Sequence, residues 1–467
     1  MIEVDLVIVG AGPAGISASV TAAEMGLSVL LLDEQPTAGG QIYRNVVKAA
    51  GTRGDILGKD YTCGLALVTA LQSAAVTHVT DATVWKIGED GAVAYSVNGK
   101  ANLAQGRKVI IATGALERPV PIPGWTFPGV MTAGAAQILL KQSGLVAERA
   151  VICGSGPLIY LIAQQMIRAG KPPVAIVETQ TKSDLLNAMQ HLPGALRGWR
   201  YLVKGAKLLS EIKRAGVMRV TGAENLAIEG DTEARAIVFT HHGQTTRIQC
   251  NLVLLHQGVV PNTQATRSLR LEHVWSSGQR CFHPMTNKWG LSSLETVYVA
   301  GDGAGIGGAQ AAEQAGAISA LHAAFALGLI TKADRDKRAA PILRMQSAEL
   351  AVRPFLDRAY PPSDQVLKPA DDTVICRCEE VTAGDIRDYA RLGCTGPNQA
   401  KAFGRSGMGP CQGRYCGLTV TELLSQATGT TPDAVGSYRI RPPLKPITLG
   451  ELATLEQTLT DETKGLI

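Results

Sequence analysis

The sequence predicts an α/β protein built on two Rossmann-type dinucleotide-binding folds and followed by a small C-terminal cysteine-rich domain. Three observations carry this: a strand, glycine turn, helix, strand pattern at the N-terminus, its recurrence from Arg149, and two close cysteine pairs late in the chain. In the first unit Val4 to Val9 leads into the turn Gly10 to Gly15, a helical stretch Ile16 to Gly26 and the run Ser28 to Leu32. In the second, Ala150 to Ile152 precedes the turn Gly154 to Pro157, the helix Leu158 to Gly170 and the strand Val174 to Val177.

Two further apolar runs, Lys108 to Ala112 and Asn251 to Leu255, end in the glycine turns Thr113-Gly114 and Gln257-Gly258, and read as crossings between the folds. Residues 1–115 and 256–335 are therefore assigned to the first fold and 116–255 to the second. Lys182 to Gly216 is a helical insertion with a break expected at Pro193-Gly194. Residues 336–370, charged and then marked by Pro354, Pro361, Pro362 and Pro369, read as an extended linker. The cysteine domain takes 371–436, and 437–467 form a tail with Pro442, Pro443 and Pro446.

Composition narrows the function. The 467 residues are 45% apolar with 51 glycines, enough for several packed cores. A net charge of +5 without Lys or Arg runs argues against a nucleic-acid partner. The acids Glu3 and Asp5 stand where a secretory signal carries cations, so a cytoplasmic protein is expected. Gly308 to Ile330, the most apolar late stretch, is interrupted by Gln310, Glu313, Gln314 and His322 and predicts a buried helix rather than a membrane span. In a reducing compartment the nine cysteines should not form structural disulfides, and clustered ones read as metal or redox groups.

The first turn is a dinucleotide fingerprint. Gly10 permits the tight turn, Gly12 lets the backbone approach a pyrophosphate, and Gly15 lets helix and strand pack closely. The phosphate would meet unsatisfied N–H groups at a helix N-terminus, and Asp33, ending the second strand, can accept ribose hydroxyls. Thr296 to Asp302, a strand ending in Gly301-Asp302 before Gly307-Gly308, favours FAD over NAD, because such an aspartate can reach the ribitol and pyrophosphate. The alternative role for Asp302 is a helix cap.

The second turn lacks its third glycine: Gly154 and Gly156 are followed by Ile159, so helix–strand packing should suffer. Glu178 could take a ribose there, with no basic group beside it in sequence, and NAD, ATP or no ligand remain open. Cys63, Cys153, Cys250 and Cys281 are scattered singly, which argues against dithiol exchange. No His–Asp or paired-carboxylate spacing marks a substrate base, and His256 reads as a crossing residue, so the catalytic residues are unknown from sequence.

The strongest motif is Cys376-Arg-Cys378, thirty-two residues, then Cys411-Gln-Gly-Arg-Tyr-Cys416. Four soft thiolates complete either a tetrahedral zinc or a [2Fe-2S] cluster. The Cys-x-Cys pair is tight for a zinc knuckle, and an electron carrier beside a flavin is the simpler reading. Gly407, Gly409, Gly413 and Gly417 could bring N–H groups to the second pair, and Arg377, Arg405 and Arg414 could offset thiolate charge. Cys394 reads as packing.

The two glycine-rich folds, Ala112-Thr-Gly114 and Gly301-Asp302 resemble the two-dinucleotide-domain flavoprotein reductases over Met1 to Ile330. Asp33-Glu-Gln-Pro, Gly-Gly40-Gln-Ile-Tyr-Arg44 and Pro121-Ile-Pro-Gly-Trp-Thr-Phe-Pro-Gly-Val-Met131 look more closely like the α subunits of heteromeric opine oxidases and their amine- or imino-acid-oxidising relatives. Hydrogen cyanide synthase subunits are similar too. Residues 371–436 resemble the bacterioferritin-associated ferredoxin type of [2Fe-2S] domain. The resemblance implies FAD contacts at Gly10, Gly12, Ala14, Gly15, Asp33, Gly40, Gln41, Thr113, Gly114, Gly301 and Asp302. It also implies a flavoprotein β subunit that oxidises a secondary amine (an opine, hydroxyproline, proline or sarcosine), a one-electron acceptor, an FMN at the subunit interface and a small ferredoxin-like γ subunit. Competing readings are a self-contained NADH-dependent reductase, a hydrogen cyanide synthase subunit and a zinc-bearing scaffold.

Overall fold

The computed structural model describes residues 1–455. The strand Ile2–Val9 ends in buried Leu6 to Val9. Pro13 then opens the helix Pro13–Glu24 at a position whose N–H would lack a helical partner in any case. The strand Val29–Leu32 is buried throughout, as a parallel strand covered on both faces must be. The first sheet runs Thr77–Val79, Val29–Leu32, Ile2–Val9, Lys100–Ile111, Ala92–Val97, Thr83–Ile87. The long strand Lys100–Ile111 also serves a distant partner, since Val109 to Ile111 pair in parallel with Val297–Val299. The chain so returns to the first sheet, and the helix that follows, Ala309–Ala326, packs along Pro13–Glu24. Small residues permit this approach: a Cβ on Gly316 would stand 2.0 Å from the Ala14 carbonyl oxygen.

The second sheet has five parallel strands in the order Met218–Thr221, Ala175–Glu178, Ala150–Ser155, Leu252–Gln257, Val130–Thr132. Its side chains alternate between two cores, as strand periodicity requires. Val151, Cys153 and Val253 face the antiparallel sheet of Glu224–Gly230, Ala234–His241 and Gln244–Gln249, whereas Ile152, Ile176 and Leu254 face the helices. Ala115–Glu117 and Val259–Pro261 pair antiparallel where the chain crosses between the folds.

Two local expectations are corrected. Residues 336–370 are not extended: they form the helices Lys332–Leu350, Arg353–Ala359 and Asp364–Leu367. Thr331 caps the first of these by accepting from the Asp334 N–H, and Pro354 sits in the opening turn of the second, where no N–H is needed. Arg335 anchors the long helix, its guanidinium 4.2 Å from the Trp289 ring centroid and 4.4 Å from that of Phe325. For the same reason Pro193 does not break the insertion but lies in the first turn of Leu192–Arg197. The interruptions fall instead at Met189–His191 and Gly198, where a Cβ would meet the Val352 side chain at 2.9 Å.

The cysteine-rich segment opens with a short hairpin, Val374–Cys376 and Val381–Thr382. It continues in the helices Ala383–Arg391, Pro397–Gly404, Gly417–Thr428 and Pro432–Val435. Its apolar residues Ile375, Ile386, Val420 and Leu423 belong to one buried cluster with Val7, Val9, Ile111 and Val299 of the first sheet. The following residues strap it down: the Leu444 N–H donates to the Trp85 carbonyl at 2.7 Å, and Ile447 and Leu455 pack on Trp85, Ala94 and Ala101. Among the described residues no helix is long and apolar enough to cross a membrane.

Candidate flavin and iron–sulfur sites

The first turn is built for close backbone approach. Gly10 has φ +104°, and a Cβ there would stand 2.6 Å from the Ala112 carbonyl oxygen; on Gly15 it would stand 1.8 Å from that of Gly10. Gly40 closes over the turn, with space for a Cβ only 2.8 Å from Gly12 Cα, and the Gly39 N–H donates to the Ala11 carbonyl at 2.8 Å. The buried Asp33 carboxylate accepts from the Ala11 N–H at 2.5 Å through Oδ2 and from the Gln35 N–H at 2.7 Å through Oδ1. Ala14 meets Gly301, Gly114 lies beside Gly303, and Thr113 Oγ1 donates to the Asn262 carbonyl at 3.4 Å. Ala14, Gly15, Thr113, Gly114 and Gly301 are thus gathered around the carboxyl ends of the first sheet's strands, which is where open α/β sheets take ligands. Asp302 Oδ1 accepts from the N–H groups of Gly307 and Gly308, both at 2.9 Å, which fixes the loop leading into the Ala309–Ala326 helix, whose N-cap is Gly308 itself.

Gln41 is tied to the second fold rather than only to the turn. Its carbonyl accepts from the buried Lys141 ammonium at 3.0 Å, and Gln137 Oε1 accepts from the same group at 2.9 Å. Burial, reinforced by Arg44, brings the Lys141 amine down to about 7. Its unfolded value is ~10.4. Between the two values the unfolded chain holds the extra proton, so stability rises with pH from about 7 toward 10.4, by at most about 1.4 kcal/mol per pH unit. Denaturant melts of Lys141→Met across that window should show a flattened rise; a slope equal to the parent's would contradict the assignment.

The second turn repeats the close backbone approach of the first. Gly154 (φ +139°) lies under the His256 backbone, where a Cβ would stand 1.7 Å from the carbonyl oxygen, and Gly156 borders the His256 ring. Ile159 is fully buried beside Ile152, Ile176 and Leu254, so the expected loss of helix–strand packing does not occur. Glu178 is fully buried and accepts from the Tyr160 hydroxyl at 2.6 Å and from Arg219, whose Nη2 donates at 3.1 Å. The basic group missing from its sequence neighbourhood therefore comes from the adjacent strand. A ribose would have to displace that ion pair. His256 Nδ1 lies 2.6 Å from Glu117 Oε1, and Glu117 Oε2 accepts from the Gly134 N–H at 2.9 Å. This His–carboxylate pair is invisible in the sequence because its members are 139 residues apart.

In the cysteine segment the thiols meet two by two: Cys376 with Cys416, and Cys378 with Cys411. Among the described residues no group of three or more His, Cys, Asp or Glu stands close enough to hold one metal ion. A hydrogen bond from Cys416, then the N–H groups of Gly407, Glu379 and Cys378, outweigh burial and bring the Cys376 thiol down to about 5. The Cys416 side chain and backbone amides thus act on Cys376, Arg414 stands within electrostatic reach of Cys411, and Gly407 serves the first pair rather than the second. Arg405 pairs with Glu379 at 2.9 Å, Arg414 donates to the carbonyls of Cys411 and Leu444, and Arg377 lies over the Trp125 ring. Glycine is required at 409, where a Cβ would stand 2.2 Å from Cys378 Cβ. The donor set and this tight loop fit a thiolate-held centre. Cys394 is buried, its thiol donating to the Gly396 carbonyl at 3.4 Å.

Two residues seat this segment that sequence reasoning did not single out. Trp125 Nε1 donates to the Val374 carbonyl at 2.6 Å, which gives the Pro121 to Met131 segment a structural purpose. Tyr438 reaches back under Cys416. Between the crossing and the cysteine loop lies a cavity of about 60 Å³ lined by Asn262, Thr263, Arg267, Gly413, Arg414 and Tyr438. Cys153 and Cys281, elsewhere, are pushed up by burial to about 12 and about 11, as inert packing thiols are.

This fold and first turn define an FAD-dependent oxidoreductase. The pyridine nucleotide-disulphide oxidoreductase family matches residues 4–316, and the sarcosine oxidase A3 domain matches residues 371–455. The opine oxidase A subunit of Rhizobium meliloti is 42% identical, covering 97% of this chain and 88% of its own. Hydrogen cyanide synthase subunit HcnB of Pseudomonas aeruginosa is 31% identical, covering 94% and 96%. Among solved structures, L-proline dehydrogenase from P. horikoshii superposes with a TM-score of 0.70 at 17% identity over 97% of this chain and 79% of its own, a likeness of fold. The chain belongs to the pyridine nucleotide-disulphide oxidoreductase family, in the branch that holds the opine oxidase A subunits.

Proposed function

We propose that this chain is the FAD- and [2Fe-2S]-carrying electron-transfer subunit of a heteromeric dehydrogenase that oxidises a secondary amine of the opine, hydroxyproline, proline or sarcosine type. Amine oxidation takes place in a partner flavoprotein subunit. The reading rests chiefly on one observation: Cys376 and Cys416 are buried in the same apolar cluster as Val9 and Ile111, which lead into the first turn and the Thr113-Gly114 crossing. Two candidate redox sites so share one core. A flavin accepts two electrons together and releases them singly, whereas a [2Fe-2S] centre takes one.

In this reading Gly10, Gly12, Ala14, Gly15, Asp33, Gly40, Gln41, Thr113, Gly114, Gly301 and Asp302 hold FAD, and Cys376, Cys378, Cys411 and Cys416 hold the cluster. The first turn presents N–H groups to the pyrophosphate, and Asp33 accepts from the ribose. The two thiol pairs suit a centre with two irons better than one tetrahedral zinc. The commitment of Glu178 to Tyr160 and Arg219 in the second fold weighs against NADH as electron donor. The names of the relatives support the heteromeric assembly and the amine.

The test is anaerobic mixing of this chain, alone and co-purified with the products of neighbouring reading frames, with NADH and with candidate amines. Bleaching of the flavin only by an amine, and only with the partner present, is expected. Rapid bleaching of the isolated chain by NADH would instead establish a self-contained reductase.

A further inference from the structure

Tyr438 belongs to the segment after the cysteine domain, yet its ring fills the inside of the cysteine loop and is 4% exposed. Glycines make the room. A Cβ on Gly407 would stand 2.6 Å from the ring, and one on Gly413 2.4 Å from it. The Lys401 ammonium lies 4.8 Å from the ring centroid. The phenol hydroxyl sits between two partners, donating to Ser406 Oγ at 3.0 Å with Cys416 Sγ 3.8 Å away on its other side. Ser406 is fully buried, so water does not compete for either contact. A ligand thiolate has no proton to give and can only accept. With Cys416 bound to iron, the single phenolic proton must therefore choose between Ser406 Oγ and the ligand sulfur.

We propose that Tyr438 is a positioning residue for the iron–sulfur centre, turning its O–H toward Cys416 Sγ and thereby raising the centre's reduction potential. The inference rests on the proposed cluster at the four cysteines. A hydrogen bond to a ligand sulfur stabilises the reduced state, which carries the extra negative charge, more than the oxidised one.

The experiment is a redox titration, followed by electron paramagnetic resonance, of the anaerobically purified complex as parent, Tyr438→Phe and Ser406→Ala. Tyr438→Phe should keep its iron, while the ratio of reduced to oxidised cluster at a fixed potential falls about tenfold, or about 59 mV for one electron. Ser406→Ala removes the rival acceptor, leaves the phenol to Cys416 alone and should move the potential the opposite way. Opposite shifts support the assignment; unmoved potentials, or shifts of the same sign, overturn it. If Tyr438→Phe fails to hold iron, the direction of the Ser406→Ala shift decides alone. A parent protein without iron would sink the cluster reading and this inference together, whereas an iron-bearing parent with unmoved variants would sink only the inference.

Discussion

Replacing Cys416 by serine is expected to strip iron and acid-labile sulfide from the protein while leaving its flavin in place. Cys416 is fully buried, stands directly before the helix Gly417–Thr428 and contacts Cys376. Serine keeps the shape but offers a hard, weakly acidic oxygen in place of a soft thiolate. Changes one shell further out commonly weaken metal binding ~10–100-fold, and loss of a ligand should do at least as much. Iron and sulfide assays on the parent, Cys416→Ser and Cys394→Ser separate the roles. Cys394 donates only to a local carbonyl, so its serine variant should retain full iron. Equal iron in all three would remove Cys416 from the ligand set.

Adding one methyl group at Gly15 should empty the flavin site. The new Cβ of Gly15→Ala would lie 1.8 Å from the Gly10 carbonyl oxygen, which is backbone and cannot rotate away. Either the helix Pro13–Glu24 moves off the strand or the Gly10 turn opens, and both displace the N–H groups offered to the pyrophosphate. Overpacking of this kind costs about 1–3 kcal/mol, which corresponds to roughly 5–150-fold in binding if it falls on the cofactor site. Flavin absorbance per protein, with Gly51→Ala as control, measures this. A Cβ on Gly51 meets nothing within 4 Å on the helix Val46–Leu57, so that variant should keep its flavin and gain slightly in stability. Full flavin content in Gly15→Ala would contradict the assignment of the first turn.

Local chemistry makes both dinucleotide folds legible. The strand ends, the glycine turns and the helix starts of residues 1–32 and 150–178 depend on neighbours a few positions away, and the cysteine spacing depends only on ligand type. What sequence does not reveal are contacts made across the fold. Arg219 reaches Glu178 from the next strand, Glu117 and His256 meet across the crossing, and Trp125 and Tyr438 come to the cysteine segment from either side of it in the chain. The helices of 332–367 escape a reading that counts proline and charge without position: Pro354 stands in a first turn, and the charged face of Lys332–Leu350 is simply its solvent side. At Ile159 the third glycine of the motif proves dispensable, since the helix lies on an apolar cluster that accommodates the larger side chain.

The claim that this chain passes electrons from a flavin to its own cysteine-held centre is tested most directly by freezing the anaerobic complex within a single turnover of its amine. Electron paramagnetic resonance at low temperature should then reveal a reduced [2Fe-2S] signal that appears as the flavin bleaches and is missing from Cys416→Ser. A bleached flavin with no iron–sulfur signal, in protein shown by assay to contain iron and sulfide, would contradict it.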